Sequence, residues 1–484
     1  MRKTTRNLFL ILLPIFLILG CASKKNAPLE EAGLTIPEAW AWAAVSAPVE
    51  PWLADFKSSA LEAIVIEALK GNYDLQATVA RMDAARASAR IIGADRLPQL
   101  SSNFGATKTD TGNSLSTAVI VSSVATGYMD FGLTLGWELD LWGRLRDRAQ
   151  ASYYDYEATK SAVKAARLSL AVNVARRYFD LIEADKEARL MQLNLGSFRR
   201  SLLITEEGFS DGIISAKELR LMRAAVATAE SGYKRSREGR ALTLATLETL
   251  LGRSPAFRLE AEEDFPEIST SVSAGLPSGL VRRRPDIKEA EMRLASTDAT
   301  LADASKGFLP DLTLGGSVNS RSNTFNELLK PEYMLSKVVG SVAQPLFEGG
   351  RIRAEKDLAI AERREALALY AAAVLTAFKE VESALSAEAY LLEQERADAL
   401  SALEHEMAEL IAKRDYENGL VDQTALLEAE RLTYQARLSL LKTRNRRLQN
   451  RLGLYLALGG EIQGVGEVAE LDLKKKDKAL DEIL

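Results

Sequence analysis

Met129-Asp130-Phe131-Gly132-Leu133-Thr134-Leu135-Gly136-Trp137-Glu138-Leu139-Asp140-Leu141 alternates without a break. Every odd position is apolar, and the even ones carry Asp, Gly, Thr or Glu. Successive side chains of a strand point to opposite faces, so this stretch predicts a strand with one apolar and one polar face. Its 13 residues exceed the roughly 5–6 of a soluble strand. They suit a tilted membrane strand of about 9–11 residues with some overhang. Phe131, Leu133, Leu135 and Trp137 are its membrane-strand residues, and Trp137 lies near one end, where an aromatic girdle sits.

Three weaker strands accompany it. Gln99 to Thr109 carries Leu100, Phe104 and Ala106 on one face, and Asp311 to Ser320 carries Leu312, Leu314 and Val318. In the last, Lys337 to Phe347, Val338, Val342 and Leu346 compete with Val339, Ala343 and Phe347. That strand is expected mainly because the chain repeats itself. Asn72-Tyr73-Asp74-Leu75 reads like Arg284-Pro285-Asp286-Ile287, and Pro98 and Pro310 share the same offset of 212. Gly143-Arg144-Leu145-Arg146 matches Gly350-Arg351-Ile352-Arg353, and Gly212 matches Gly419, at an offset of 207. The offset changes between the proline and the glycine-arginine motif, where a variable hairpin belongs. Each copy reads helix, strand, loop, strand, very long helix, turn, long helix.

The long helices are plain. Arg351 to Asn418 has neither Gly nor Pro, and from Arg144 to Glu207 only Gly196 interrupts. Ala, Leu, Glu, Arg and Lys dominate, and these are the best helix formers. About 67 such residues make a rod of roughly 100 Å, which must project from any membrane. Small residues such as Ala166, Ala171, Ala175, Ala371 and Ala372 permit close, coiled-coil-like packing. The rods reverse at Gly208-Phe209-Ser210-Asp211-Gly212 and Tyr416-Glu417-Asn418-Gly419, where glycines supply positive φ.

Composition narrows the functions. The chain has 484 residues, a net charge of −5, one cysteine and one histidine, His405. No basic footprint for nucleic acid is present, no intrachain disulfide can form, and a His/Cys zinc site is nearly excluded. No compact acidic loop has EF-hand spacing. No phosphate cradle or nucleophile motif is found, and Gly349-Gly350 reads as a backbone turn. The chain is therefore not expected to be an enzyme. Arg2, Lys3 and Arg6 precede an apolar run from Leu8 to Leu19, the pattern of a secretory signal peptide over 1–20. Ile18-Leu19-Gly20-Cys21 resembles a lipobox, with Cys21 the lipidated residue and a diacylglycerol and acyl chain the only attached group expected. Ala22 after the cysteine resembles lipoproteins sorted to the outer membrane. Beyond residue 21 no run of about 20 apolar residues could cross a membrane as a helix. The domains expected are a lipidated segment 21–56, a first repeat 57–252, a linker 253–282, a second repeat 283–457 and a C-terminal segment 458–484.

Four strands leave two open edges in lipid, where each unpaired backbone group costs several kcal/mol. Bacterial barrels start at about eight strands, so several copies must pool their strands. Three copies give twelve and four give sixteen, and the physics does not choose between them.

The two-copy layout resembles the TolC-type outer-membrane factors. Gly279-Leu280-Val281-Arg282-Arg283-Arg284-Pro285-Asp286-Ile287 and Pro345-Leu346-Phe347-Glu348-Gly349-Gly350-Arg351, with the lipobox, resemble the lipoprotein branch often called NodT or OprM-like. The resemblance implies a homotrimer: a twelve-stranded β-barrel in the outer membrane, continuous with a twelve-helix periplasmic α-barrel. An equatorial belt would come from 22–56, 253–282 and 458–484. It implies the passive exit duct of a tripartite efflux pump, served by a periplasmic adaptor (membrane fusion) protein and an inner-membrane transporter of the proton-driven RND class. It places adaptor docking at the helix tips, Gly208, Asp211, Gly212, Asn418 and Gly419. It places a periplasmic aperture at Tyr416 and Glu428, with Asp422 replacing a carboxylate where Ala425 stands. Val421 replaces a family arginine. An export duct for peptides or proteins with an ATP-driven transporter shares this fold, and a pore-free lipid-anchored coiled-coil scaffold is a further alternative.

Overall fold

A computed structural model of the chain describes residues 28–42, 52–110, 125–268, 274–275 and 277–460. The signal peptide, Cys21, Ala22 and nearly all of 458–484 lie outside the described residues. Two short helices, α1 (Pro28–Glu31) and α2 (Trp52–Asp55), come first. Then follow α3 (Ser59–Gly71), α4 (Tyr73–Ala94), β1 (Gln99–Asp110), β2 (Ala125–Leu139), α5 (Arg144–Ser210) and α6 (Ala216–Leu250). The second half brings α7 (Pro277–Arg283), α8 (Pro285–Lys306), β3 (Asp311–Ser322), β4 (Met334–Ala343), α9 (Arg351–Glu417) and α10 (Gln423–Ala457). The elements of the two halves match in length: α4 and α8 have 22 residues, α5 and α9 have 67, α6 and α10 have 35.

The single helix expected ahead of each strand pair is two helices. Asn72 breaks the first: its side chain accepts from Leu75 N at 2.9 Å, capping α4, and its amide donates to the Leu250 carbonyl at 3.0 Å, at the end of α6. Arg284 stands at the same place before α8. Its guanidinium donates to the Ala457 carbonyl at 3.0 Å, at the end of α10, and pairs with Asp286 at 2.6 Å and Glu380 at 2.7 Å. The Arg-Pro-Asp motif is thus a clamp that ties a helix end to a helix start. Pro285 occupies the first turn of α8, where its missing N–H costs nothing. Helix α7 straddles residue 282, so the linker expected at 253–282 ends inside a helix.

The core gathers at the middle of the long helices α5 and α9. Trp52, Phe56, Leu61 and Val65 pack on Val172, Tyr178 and Phe179 of α5, with Leu244 and Leu247 of α6 and Leu452 of α10. A second cluster joins Trp40, Leu280, Ile287 and Leu294 to Val374, Ala377 and Val381 of α9. A fully buried arginine lies between the long helices: Arg451, 1% exposed, meets Glu388 at 2.7 Å and Asp55 at 3.4 Å. Burying that charge is tolerable only because the carboxylates come with it.

The four strands form one antiparallel sheet in the order β1-β2-β3-β4. Strand β2 begins at Ala125, earlier than expected, and stops at Leu139, two residues short of Leu141. Asp140 turns away to cap α5, accepting from Leu145 N at 3.1 Å and Arg146 N at 2.8 Å. Strand β4 is displaced from the expected 337–347. Ala343 pairs with Asp311, the first residue of β3, so beyond it β3 offers no partner. Pro345 also lacks an N–H to donate.

Candidate functional site: the open sheet and the helix tips

The register sorts the sheet into two faces. Leu100 lies opposite Leu135 and Phe104 opposite Phe131. Leu133 meets Val318, Trp137 meets Leu314, and Leu139 meets Leu312. Leu312 meets Val342, and Val338 lies opposite Gly316. All of these fall on one face, so Phe131, Leu133, Leu135 and Trp137 belong to an apolar surface shared by four strands. The ambiguity of β4 is settled by its partners: Val338 and Val342 extend the apolar face, and Val339 and Ala343 point to the other. That second face carries Asn103, Asp130, Thr134, Ser317 and Asn319. At the helix-proximal end of the sheet Trp137 donates its indole N–H to the Arg96 carbonyl at 3.0 Å, and Trp142 donates to Pro310 at 2.8 Å. Sequence reading missed Trp142, which falls outside the alternating run. Below the sheet, Lys306 bridges Asp147 at 2.5 Å and the Gly143 carbonyl at 3.1 Å, and Arg144 meets Asp311 at 3.3 Å. The outer sides of β1 and β4 carry no strand among the described residues. Leu346 and Phe347, just beyond β4, are 92% and 88% exposed.

About 100 Å away along the rods, the two tips reverse over five residues each. In the first, Asp211 is the C-cap and Gly212 takes φ +76°. Gly208 differs from expectation: it is helical, inside the last turn of α5. Its small size serves close approach, because a Cβ there would lie 2.8 Å from the Ile214 side chain. Its carbonyl accepts from Ile213 N at 2.8 Å and Ile214 N at 3.0 Å. Ser215 and Glu218 form a capping box that starts α6. In the second tip Asn418 donates to the Arg414 carbonyl at 2.8 Å, and Gly419 takes φ +71°. Tyr416 sits in the last turn of α9 and accepts from Gly419 N at 3.0 Å through its carbonyl.

Asp422 is the N-cap of α10, its carboxylate accepting from Ala425 N at 2.9 Å. Glu428 faces solvent one and a half turns on and is bound by Arg431, at 2.8 Å and 2.5 Å. The Arg431 hydrogen bonds hold the Glu428 carboxyl below its ordinary value. Within the chain Glu428 is thus paired with a cation, while Asp422 is used as a helix cap. Arg431 gave no sequence signal beyond its i,i+3 spacing. Nor did the polar seam that ties α10 to α5. Gln423 accepts from Thr205 at 2.9 Å and donates to the Ser201 carbonyl at 3.0 Å, Glu430 accepts from Ser197 at 2.7 Å, and the Tyr434 hydroxyl reaches Met191 Sδ at 3.0 Å. Burial, with Glu187 nearby, pushes Tyr434 up to about 12. His405 accepts through its carbonyl from the Thr433 hydroxyl, at 2.9 Å.

No helix among the described residues is long and apolar enough to cross a membrane, and no group of His, Cys, Asp and Glu there could hold a metal ion. The profile of the family described as "Outer membrane efflux protein" matches residues 64–253 and 276–460. The chain belongs to the outer membrane efflux protein family. Its relatives include the pyoverdine export outer membrane protein OpmQ of Pseudomonas aeruginosa, 30% identical over 94% of this chain and 97% of that one. The cation efflux system protein CusC of Escherichia coli K12 is 28% identical over 84% of this chain and 88% of its own length. Among solved structures, the outer-membrane channel OprN superposes with a TM-score of 0.80 at 26% identity, covering 89% of this chain and 97% of the other. The CmeC outer membrane channel of Campylobacter jejuni also gives 0.80, at 25% identity over 93% and 98%. The efflux protein therefore has a TolC-like channel fold, serves as the outer-membrane component of an efflux pump, and resides in the outer membrane. Its family consists of channels, not enzymes.

Proposed function

We propose that three copies of this efflux protein close into one duct, a twelve-stranded barrel through the outer membrane continued by a ring of twelve helices into the periplasm. The observation that carries this reading is the open sheet, with one apolar face across all four strands and no strand on either outer edge among the described residues. Such edges in lipid cost several kcal/mol per backbone group, so the sheet must be completed by other copies. Each copy holds two tandem versions of one unit, which accounts for the matched element lengths. The duct is passive and takes small molecules from a proton-driven RND transporter through a periplasmic adaptor protein. The adaptor docks at the tips around Gly208, Asp211, Gly212, Asn418 and Gly419. The lower ends of α9 and α10, with Tyr416, Asp422 and Glu428, form the periplasmic aperture.

Cys21 carries the lipid. Glu31 is held by Arg363 at 2.6 Å and 2.8 Å. Arg363 lies twelve residues into α9, roughly 18 Å from the strand-to-helix join at ~1.5 Å per residue. The ten residues from Cys21 to Glu31 reach up to roughly 33 Å, enough to bring an acyl chain back to the membrane.

Purified protein in detergent is expected to show the mass of three chains and, in planar bilayers, discrete conductance steps. A single-chain mass, or bilayers that stay silent, would overturn the proposal. At the aperture, Glu428→Gln is expected to shift the reversal potential under a KCl gradient toward anions and Arg431→Gln toward cations. Tyr416→Phe is expected to raise open probability. Unaltered conductance and selectivity in all three would remove these residues from the constriction.

A further inference from the structure

We propose the strand register by which one copy of the chain joins the next: β4 pairs with β1 of the following copy so that Leu346 lies opposite Leu100 and Val342 opposite Phe104. This rests on the reading that several copies close one barrel, and adds to it which residues meet.

The derivation uses only pairings seen inside the chain. Gln99 pairs with Gly136 in the first hairpin and Asp311 with Ala343 in the second. The second pair is the first moved by 212 on one strand and by 207 on the other, the same offsets that relate the two halves in the sequence. The hairpins are therefore superposable residue by residue. The contact between the halves, β2 against β3, pairs Leu139 with Leu312, Leu135 with Gly316 and Phe131 with Ser320. In a closed ring of repeated units, the contact between β4 and the next β1 is the counterpart of that contact. Moving β2 positions forward by 207 and β3 positions back by 212 gives Leu346 opposite Leu100, Val342 opposite Phe104 and Val338 opposite Lys108.

Nothing in this construction guarantees chemical sense, yet two checks come out. First, Val342, Leu100 and Phe104 lie on the apolar face and Leu346 keeps the even spacing of Val338 and Val342, so in this register the face continues across the subunit boundary. A slip of one residue would turn every side chain of the incoming strand to the wrong side. Second, it explains why β4 ends four residues before the place where β2 turns. Glu138 and Leu139 are paired by Thr313 and Leu312 of β3. Their counterparts, Pro345 and Leu346, have no strand partner among the described residues, and Leu346 is almost fully exposed. In this register Ser101 and Leu100 of the next copy supply it. Such a head-to-tail contact uses two different surfaces and closes when the rotation completes a ring.

Cysteine pairs on the polar face test this. Residues directly opposite on antiparallel strands have Cα atoms about 4.5–5.5 Å apart, within disulfide range, and those shifted by two along the strand lie beyond it. Asn103→Cys with Ala343→Cys, and Gly105→Cys with Ser341→Cys, are opposite in the proposed register. Asn103→Cys with Ser341→Cys, and Gly105→Cys with Ala343→Cys, use the same four substitutions shifted by two residues in either direction. Outer membranes from each double variant are oxidised with copper-phenanthroline and run on non-reducing denaturing gels. The matched pairs are expected to give covalent dimers and trimers at about ten times the yield of the shifted pairs. Equal or greater yield from a shifted pair overturns the register. So does an absence of covalent products from both matched pairs while the wild-type protein keeps a three-chain mass, which leaves ring closure itself standing. A single-chain mass for the wild type removes both.

Discussion

Arg284 shows how one side chain can carry a sequence motif. It is buried, and its guanidinium serves Asp286, Glu380 and the Ala457 carbonyl together. Removing it leaves the buried Ala457 carbonyl without its donor and two half-exposed carboxylates without their cation, so Arg284→Ala is expected to cost about 1–3 kcal/mol and lower the unfolding midpoint of the detergent-solubilised protein in differential scanning fluorimetry. A midpoint equal to wild type would mean the clamp is idle. The pH dependence follows from Asp286. Burial pushes its carboxyl up, but the Arg284 hydrogen bonds outweigh this and hold it below the usual aspartate range. A depressed acid stabilises the fold above its unfolded value, about 3.9, and loses that contribution as pH falls through the lower folded value. The gap between wild type and Arg284→Ala should thus be full at neutral pH and narrow below about pH 4. Asn72 does the corresponding work in the first half with neutral chemistry. The likeness of Asn-Tyr-Asp-Leu to Arg-Pro-Asp-Ile was legible in the sequence. The shared task was not, because the accepting carbonyls lie more than 170 residues away.

Among elements, the long helices were legible nearly to the residue, since 67-residue stretches without proline leave few other options. Their ends were read less well. Gly208 looks like a turn residue and is helical, and the reversal waits for Gly212. The start of α6 depends on the box formed by Ser215 and Glu218, at 3.3 Å and 2.9 Å. Ser215→Ala is expected to cost about 1 kcal/mol locally and to raise amide exchange over the first turn of α6 roughly fivefold, with no change near Leu244. Uniform exchange along the helix would show that this cap does not hold the tip. Strand β4 was the hardest element, because apolar residues fall on both faces of it. Its register against β3 decides the face, and register is a property of two strands, not of one.

For the whole molecule, the proposed function gives two independent attachments to the membrane, the lipid on Cys21 and the barrel. Cys21→Ser is expected to abolish metabolic labelling with palmitate while the protein still fractionates with outer membranes, because a closed strand barrel needs no anchor to stay in lipid. Release of the unlabelled variant into the soluble periplasmic fraction would show that the strands do not span.

The sequence by itself determined the alternation that makes a strand amphipathic, the helix lengths, the doubled order of elements and a set of four strands, too few to close a barrel in lipid. These depend on local periodicity, and on the rule that backbone groups in lipid must be paired. Tertiary structure alone decided where the polar groups go. Arg451 reaches Glu388 and Asp55, Gln423 joins α10 to α5, and Arg431 neutralises the Glu428 that looked free. Those partners are chosen by which helix faces meet in space, which no window along the chain contains.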